Sequence, residues 1–313
     1  MKNIQADIKS GNFKQVYLLY GEEAYLKQQY KQNLVKALNP DGDTMNFNHY
    51  EGKGIDVKQL IDLCETMPFF AERRVVLLED TGFFKNKCEE LADYMKELPD
   101  YLYLVFAETE VDKRNRMYKA VKSCGSIAEF IRQDEKTLMR WAAGILGKAG
   151  KKITQRDMEL LLTKTGTDMG NLRMEMEKLI SYTEGRDVVT AEDIEEICTT
   201  QTTNRIFDMV RAVTEKNQKR ALELYYDLLT LKEPPMRILF LLAKQYRQLL
   251  LAKQFAAAGL AQTEIASKLG VPGFVVRNIT TCARAYTISE LEQAVKDFVD
   301  AEESVKTGRL EDS

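Results

Sequence analysis

The sequence has little of what catalytic and metal sites are usually made of. It contains one histidine, His49, and no serine or cysteine motif accompanies it, so neither a histidine-based triad nor a multi-histidine metal site is expected. Its five cysteines are scattered and form no Cys-x-x-Cys pair. That spacing argues against a zinc site and is typical of a reduced cytoplasmic protein. We therefore expect no catalytic residues, no metal and a cytoplasmic location.

Long apolar runs, strong net charge and helix-breaking residues are also scarce. The chain has no apolar run of the ~18 residues that a membrane span needs, and its start lacks the apolar core of a signal peptide. A net charge of −3 does not indicate a nucleic-acid binder. Six prolines and 17 glycines argue against long disordered linkers. A chain of 313 residues is then expected to fold into two or three domains.

Strand-like and helix-like segments alternate from residue 1 to about 135. Short apolar or alternating runs predict five strands, at 15–21, 45–50, 74–79, 101–107 and 126–130. Helical spacing predicts helices between them, at 22–38, 56–67 and 113–124. Such alternation is typical of an α/β domain with a mainly parallel sheet and helices on both faces.

The rest of the chain has helical patterns. From about 136 to 208 we expect three or four short helices, two of which begin at the capping residues Thr154 and Thr190. From about 209 to 313 the helices are longer. The apolar stripe of 234–259 is too wide for a lone surface helix, so neighbouring helices or other subunits must bury it.

The first strand is followed by the turn at which a nucleotide-binding domain would start its phosphate loop. A working loop reads Gly-x-x-x-x-Gly-Lys-Ser/Thr, and its amides and lysine hold the phosphates. Here Gly21 is followed by Glu22 and Glu23, with neither a second glycine nor a Lys-Thr pair. Two carboxylates at this place would repel ATP. The domain is therefore expected to resemble an ATPase without binding a nucleotide cofactor.

An unusual apolar cluster separates the predicted helix 56–67 from the strand 74–79. Met67, Pro68, Phe69 and Phe70 follow one another there. Proline interrupts the helix, and a surface loop is the expected result. Adjacent phenylalanines on a surface loop are typical of a binding hot spot. The alternative is that they pack inward as part of the core.

Seven segments together resemble one family. They are VYLLYGEEAYL, MPFFAERRVVLLED, VDKRNRMYKAV, NLRMEMEKLISY, EPPMRILFLLAKQYRQLL, TEIASKLGV and AEESVKTGRL. Their order and spacing resemble those of the delta subunits of the bacterial DNA polymerase III clamp loader, over nearly the whole chain. The resemblance implies an AAA+-type domain without ATPase activity at 1–135, a small helical lid-like domain at 136–208 and a helical collar domain at 209–313.

The resemblance also implies a function and partners. Such a subunit binds the beta sliding clamp and opens it for loading onto primed DNA. It assembles through its collar with motor subunits of the gamma or tau type and with a delta prime type subunit. In the family a hydrophobic wedge on the first domain enters a pocket of the clamp. The matching positions are Met67, Phe69 and Phe70, with Pro68 shaping the loop.

A rival interpretation comes from residues 262–279, whose pattern resembles a helix-turn-helix. A DNA-binding regulator would use the second helix to read bases. That helix, however, carries Phe274, Val276 and Ile279, which are expected in a core. Only Arg277, Asn278 and Thr280 could contact DNA. A third class, an active nucleotide-dependent enzyme, is disfavoured by the missing phosphate loop.

Overall fold

The computed structural model describes residues 2–199 and 202–310. Residues 1, 200, 201 and 311–313, which fall within the three expected domains, lie outside the described residues. The chain divides into two compact units, Met1–Gln133 and Asp134–Ser313. The finer division of the second unit into a lid-like and a collar domain stays a prediction.

The first unit is built on a five-stranded sheet with the strand order β2-β3-β4-β1-β5, and every neighbouring pair in it is parallel. The strands are β1 (Val16–Tyr20), β2 (Phe47–Glu51), β3 (Arg74–Glu79), β4 (Leu102–Glu108) and β5 (Ser126–Glu129). All five lie within the segments predicted from the sequence or one residue beyond them. The parallel α/β class is thereby confirmed.

Helices cover both faces of this sheet. They are α1 (Lys2–Ser10), α2 (Ala24–Leu38), α3 (Val57–Glu65), α4 (Glu89–Tyr94) and α5 (Arg116–Cys124). Alternate residues of each strand point to opposite faces: Leu18 belongs to a core that α3, α4 and α5 complete, and Leu19 to a second core that α1 and α2 complete. The central strands β1, β3 and β4 are thus buried on both sides, as their continuous apolar runs require.

The second unit begins with four helices and one small sheet. The helices are α6 (Glu135–Lys148), α7 (Gln155–Thr165), α8 (Met169–Tyr182) and α9 (Ala191–Ile197). Only helices are predicted from the sequence of 136–208, and this is wrong in one respect, because β6 (Lys152–Ile153) pairs with β7 (Val188–Val189). Strands of two residues are too short to show an alternating pattern.

Each of these short strands leads directly into a predicted helix cap. The hydroxyl of Thr154 accepts a hydrogen bond from the amide of Asp157. Thr190 and Asp193 form the complete reciprocal capping box. Both caps are confirmed, and together they fix the directions in which α7 and α9 leave the small sheet.

The remaining helices surround one long, central helix. They are α10 (Thr202–Thr214), α11 (Gln218–Thr230), α12 (Pro235–Ala257), α13 (Gln262–Leu269), α14 (Gly273–Ala283) and α15 (Ile288–Lys306). The apolar face of α12 is covered within this unit, since Ile238 and Leu249 are buried between its neighbours. Of the two expected sources of burial, neighbouring helices or other subunits, neighbouring helices thus cover Ile238 and Leu249, while Phe240 remains exposed.

Candidate interaction surface

The predicted apolar loop leaves the amino edge of the sheet. Helix α3 ends at Glu65 and strand β3 begins at Arg74. The chain before β2, which is the edge strand and pairs in parallel with β3, ends at the same edge. The two connections therefore lie side by side. We call residues 67–70 the wedge loop.

The wedge loop exposes its apolar side chains. Met67 is 75% exposed, Phe69 56% and Phe70 95%, and Pro68 is half-buried. The two phenylalanine rings touch edge to face, with 4.4 Å between their centroids and 78° between their planes. The alternative that these rings belong to the core is therefore wrong. Met45, 65% exposed, adds an apolar side chain just before β2.

Asn46 holds the loop at Phe69. Its side-chain amide donates to the carbonyl of Phe69 over 2.8 Å, and its side-chain oxygen accepts from the amide of Phe69 over 2.6 Å. Asn46 is itself only 3% exposed, and its carbonyl accepts from the amide of Val75 in β3. The Asn46 side chain thus satisfies both the amide and the carbonyl of Phe69, as the backbone of a neighbouring strand would.

Arg74 holds the start of the same segment. Its guanidinium donates to the carbonyls of Thr66 over 2.8 Å and Met67 over 3.3 Å, and to the side-chain oxygen of Asn48 over 3.2 Å. Arg74 is 5% exposed. A buried guanidinium is costly unless its donors are paired, so these bonds tie the end of α3 to the first residue of β3.

The preceding residue, Arg73, points the other way, as alternation along a strand requires. Its guanidinium lies 5.2 Å from the ring centroid of Phe13 and 5.4 Å from that of Tyr103. Both are within the range of a cation–π contact. Consecutive arginines therefore anchor the exit of the loop on both faces of the sheet.

The backbone of the loop is strained where the exposed ring is presented. Phe70 has a φ of +49°, a left-handed conformation that is rare for a bulky residue. Such strain persists only where surrounding bonds enforce it, and it is concentrated at binding and catalytic sites. Here the hydrogen bonds from Asn46 fix the backbone of Phe69, the residue directly before Phe70.

Sequence reasoning misses Asn46 and Arg74. Each stands at the start of a strand, where a polar residue is expected to face solvent. Their contacts join residues 23 and 8 positions apart along the chain, and no periodic pattern encodes such a pairing. The proline and the two aromatic residues are the signals that could be found.

The opposite, carboxyl edge of the sheet is where a nucleotide would bind in an open α/β domain. Behind β1 the backbone turns at Gly21 with a φ of +123°. The carbonyl of Phe130 accepts a hydrogen bond of 3.0 Å from the amide of Glu23 at the start of α2. An amide that could have faced phosphate is thus used within the chain.

Other polar groups at this edge also pair with one another. The carboxylate of Glu108, 2% exposed, accepts from the amide and hydroxyl of Thr81 and from the amide of Gly82. Burial raises the pKa of this carboxyl in spite of those bonds. Lys27 donates to the carbonyl of Glu108 over 3.0 Å. These contacts connect the ends of β3 and β4 to α2.

His49 lies in β2, and its Nε2 is 2.9 Å from Oε1 of Glu79. Oε2 of Glu79 is 2.6 Å from the ammonium group of Lys31. Across residues 2–199 and 202–310 there is no group of three or more histidine, cysteine, aspartate or glutamate side chains suited to a metal ion. Over the same residues, no helix has the length and apolar character to cross a membrane.

The helix-turn-helix segment is present, but its second helix is used for packing. Gly270 adopts a left-handed conformation between α13 and α14. Phe274 is buried against the cluster formed by α6 to α9, and Val276 and Ile279 are buried in the core around α12. Arg277 is paired with Glu159 over 3.3 Å. The apolar side of this helix is therefore buried, as expected of a core helix, and its exposed side carries Arg277, Asn278 and Thr281.

A parallel α/β unit whose first strand is not followed by a phosphate-loop sequence, and a second unit that is mostly helical, form the architecture expected of a clamp-loader subunit. The family model described as "DNA polymerase III, delta subunit" matches residues 17–130, and the model of the "DNA polymerase III delta subunit, C-terminal domain" matches residues 203–313. The chain belongs to the DNA polymerase III delta subunit family.

Individual relatives agree with this assignment. The DNA polymerase III subunit delta of Bacillus subtilis is 26% identical over 98% of this chain and 92% of that protein. A probable DNA polymerase III subunit delta of Aquifex aeolicus is 22% identical over 82% of this chain and 75% of that protein. Among solved structures, the DNA clamp loader delta protein of Bacillus subtilis has the same fold, with a TM-score of 0.65, 24% identity and coverage of 99% and 95% of the two chains.

Proposed function

We propose that this protein binds the beta sliding clamp through the wedge loop and opens the ring for loading onto primed DNA during replication. The observation that carries the proposal is the pair of touching, exposed rings of Phe69 and Phe70 on a loop that buried side chains hold in place. Met67 and Pro68 complete the clamp-binding surface. Family membership supplies the identity of the partner.

The energy available from this surface is of the required size. Burying two phenylalanine side chains releases about 3–6 kcal/mol before the costs of association. Aromatic residues in a desolvated pocket are the usual hot spots of an interface. The clamp is a closed ring, so binding opens it only to the extent that its open form is bound more tightly than its closed form. The wedge loop must therefore fit a surface of the clamp that is more accessible in the open ring than in the closed ring.

The protein contributes no catalysis of its own in this proposal. ATP is bound by partner subunits of the gamma or tau motor type, and a delta prime type subunit completes the assembly. The helices of 209–313 supply the collar that joins them, while 136–208 act as the lid-like domain. Primed DNA is met within the assembled complex in the cytoplasm.

The test measures two properties of one variant, Phe69→Ala with Phe70→Ala. Each hot-spot aromatic commonly costs about 2 kcal/mol when truncated, with incomplete additivity, so clamp affinity should fall by about 3 kcal/mol, or more than a hundredfold. The Tm should hardly move, because exposed apolar side chains contribute little to the stability of the free protein.

The matched control is Phe240→Ala. Its ring is 57% exposed, much like that of Phe69, but it lies on α12 in the second unit. It should bind the isolated clamp as the unmodified protein does. A double variant that keeps full clamp affinity would contradict the proposed function.

A further inference from the structure

We propose that Asn46 and Arg74 are positioning residues that preform the wedge loop before the clamp arrives. The inference rests on the proposed function, because it concerns how the same loop meets its partner. The surface they organise is apolar, and the partner it fits is an apolar pocket on the clamp. Neither residue needs to touch the clamp.

The wedge loop cannot move without breaking buried hydrogen bonds. Asn46 pairs with both the amide and the carbonyl of Phe69. Since Asn46 is 3% exposed, its side chain would lose two partners at once if the loop left its place. Water does not readily replace such partners at a buried amide.

The pair of hydrogen bonds between the Asn46 side chain and the backbone of Phe69, which we call the clasp, is fixed to the sheet. The carbonyl of Asn46 accepts from Val75 in β3, and Arg74 at the start of β3 holds the carbonyls of Thr66 and Met67. The loop is therefore attached at both ends to adjacent strands, β2 and β3. The clamp therefore binds a loop whose conformation is already fixed by its attachment to the sheet.

The strained backbone of Phe70 also depends on the clasp. A φ of +49° at Phe70 is unfavourable for a free chain, so a loop without its clasp would adopt other conformations. Binding would then have to restore the single conformation that presents both rings. Preforming it removes an ordering cost from the binding step, which strengthens binding without adding a contact.

The test uses Asn46→Ala in the full chain, with Asn115→Ala as the matched control. Like Asn46, Asn115 uses its side chain on backbone groups of the same unit, but in another loop: it donates to the carbonyls of Phe83 and Asn86 and accepts from the amide of Met117. Hydrogen exchange of the Phe69 amide in the free protein reports on the clasp, and titration with the isolated clamp reports on affinity. If Asn46→Ala fails to fold, Arg74→Lys tests the hydrogen bonds from Arg74 to the carbonyls of Thr66 and Met67. This substitution keeps the charge but loses the guanidinium fork.

The expected result has three parts. Exchange of the Phe69 amide accelerates in Asn46→Ala but not in Asn115→Ala. Clamp affinity falls about tenfold, which corresponds to the free energy of the hydrogen bonds lost between Asn46 and Phe69. In a Phe70→Ala background the same change costs only about threefold or less, because two residues that act through one loop are not additive.

The opposite results separate the two proposals. Unchanged clamp affinity in a folded Asn46→Ala protein, or an equal loss with and without Phe70, overturns the positioning role and leaves the wedge intact. Full clamp affinity in the Phe69→Ala, Phe70→Ala protein overturns the proposed function itself. Exchange at Phe69 is measured without any clamp, so it tests the clasp in either case.

Discussion

The backbone carbonyl of Phe130 lies against Gly21: a β-carbon added to Gly21 would stand 2.3 Å from that oxygen. Phe130 is held there because its amide donates to the carbonyl of Tyr20 and its carbonyl accepts from Glu23. The glycine at which a phosphate loop would begin is thus needed here for close packing of two backbone segments. Its presence alone is no sign of nucleotide binding.

We expect Gly21→Ala to be strongly destabilising. The new methyl group would clash with a fixed backbone, and alanine would be strained at a φ of +123°, so the loss should be at least about 2 kcal/mol. Gly144→Ala is the control, since Gly144 lies in α6 with open space around it. That change should stabilise the protein by about 0.5–1 kcal/mol. Urea unfolding measures both, and equal midpoints would contradict this account.

Nucleotide binding can be tested directly. Because Glu22 and Glu23 follow Gly21 in place of a phosphate loop, we expect no specific heat in a calorimetric titration with Mg-ATP. The amide of Glu23 is also already bonded to Phe130. A micromolar dissociation constant would show that this edge of the sheet holds a nucleotide by other means.

The parallel sheet can be predicted from sequence because its central strands, β1, β3 and β4, are buried on both faces. The run of β3, Arg-Val-Val-Leu-Leu-Glu, matches the predicted segment from Arg74 to Glu79 residue for residue. The helices α1 and α4 are not predicted. Helix α4 has six residues, too few to show a helical period, and α1 precedes the first strand and owes its place to burial of Ile4 under the sheet.

The interaction surface is predictable only in part. Phe69 and Phe70 stand out because aromatic residues are unexpected next to a proline loop. The residues that hold the loop do not stand out, because Asn46 and Arg74 act through backbone atoms of residues distant along the chain. The positive φ of Phe70 is likewise a property of the folded loop. The sequence therefore predicts which apolar residues form the surface, whereas the contacts that hold the loop can be seen only in the folded structure.

The cysteines should differ widely in reactivity. Burial raises the pKa of Cys64 to about 12 and that of Cys198 to about 12, so at pH 8 only about one in ten thousand of these thiols is the reactive thiolate. Cys124 is exposed at the end of α5. Under native conditions we expect a thiol reagent to modify Cys124 first, as identified by peptide mass spectrometry. Cys124→Ser should abolish the fast phase, and early modification of Cys64 would refute the burial argument.

Helix α11 carries an apolar pair that is exposed in the described part of the chain. Leu222 is 47% and Tyr226 61% exposed on α11. Four residues apart, they share one face of the helix. We expect this pair to contact partner subunits of the loader, because neighbouring exposed apolar residues are frequently interaction sites.

The variant Leu222→Ser with Tyr226→Ser should therefore reduce assembly with the motor subunits, as measured by size-exclusion chromatography. Its Tm should change by less than about 2 °C, since both side chains are largely exposed, and its affinity for the isolated clamp should be unchanged. Leu224→Ala, on the same helix but 5% exposed, provides the contrast: it should cost about 2–5 kcal/mol of stability. Normal assembly by the double serine variant would show that the exposed face of α11 is not the subunit contact.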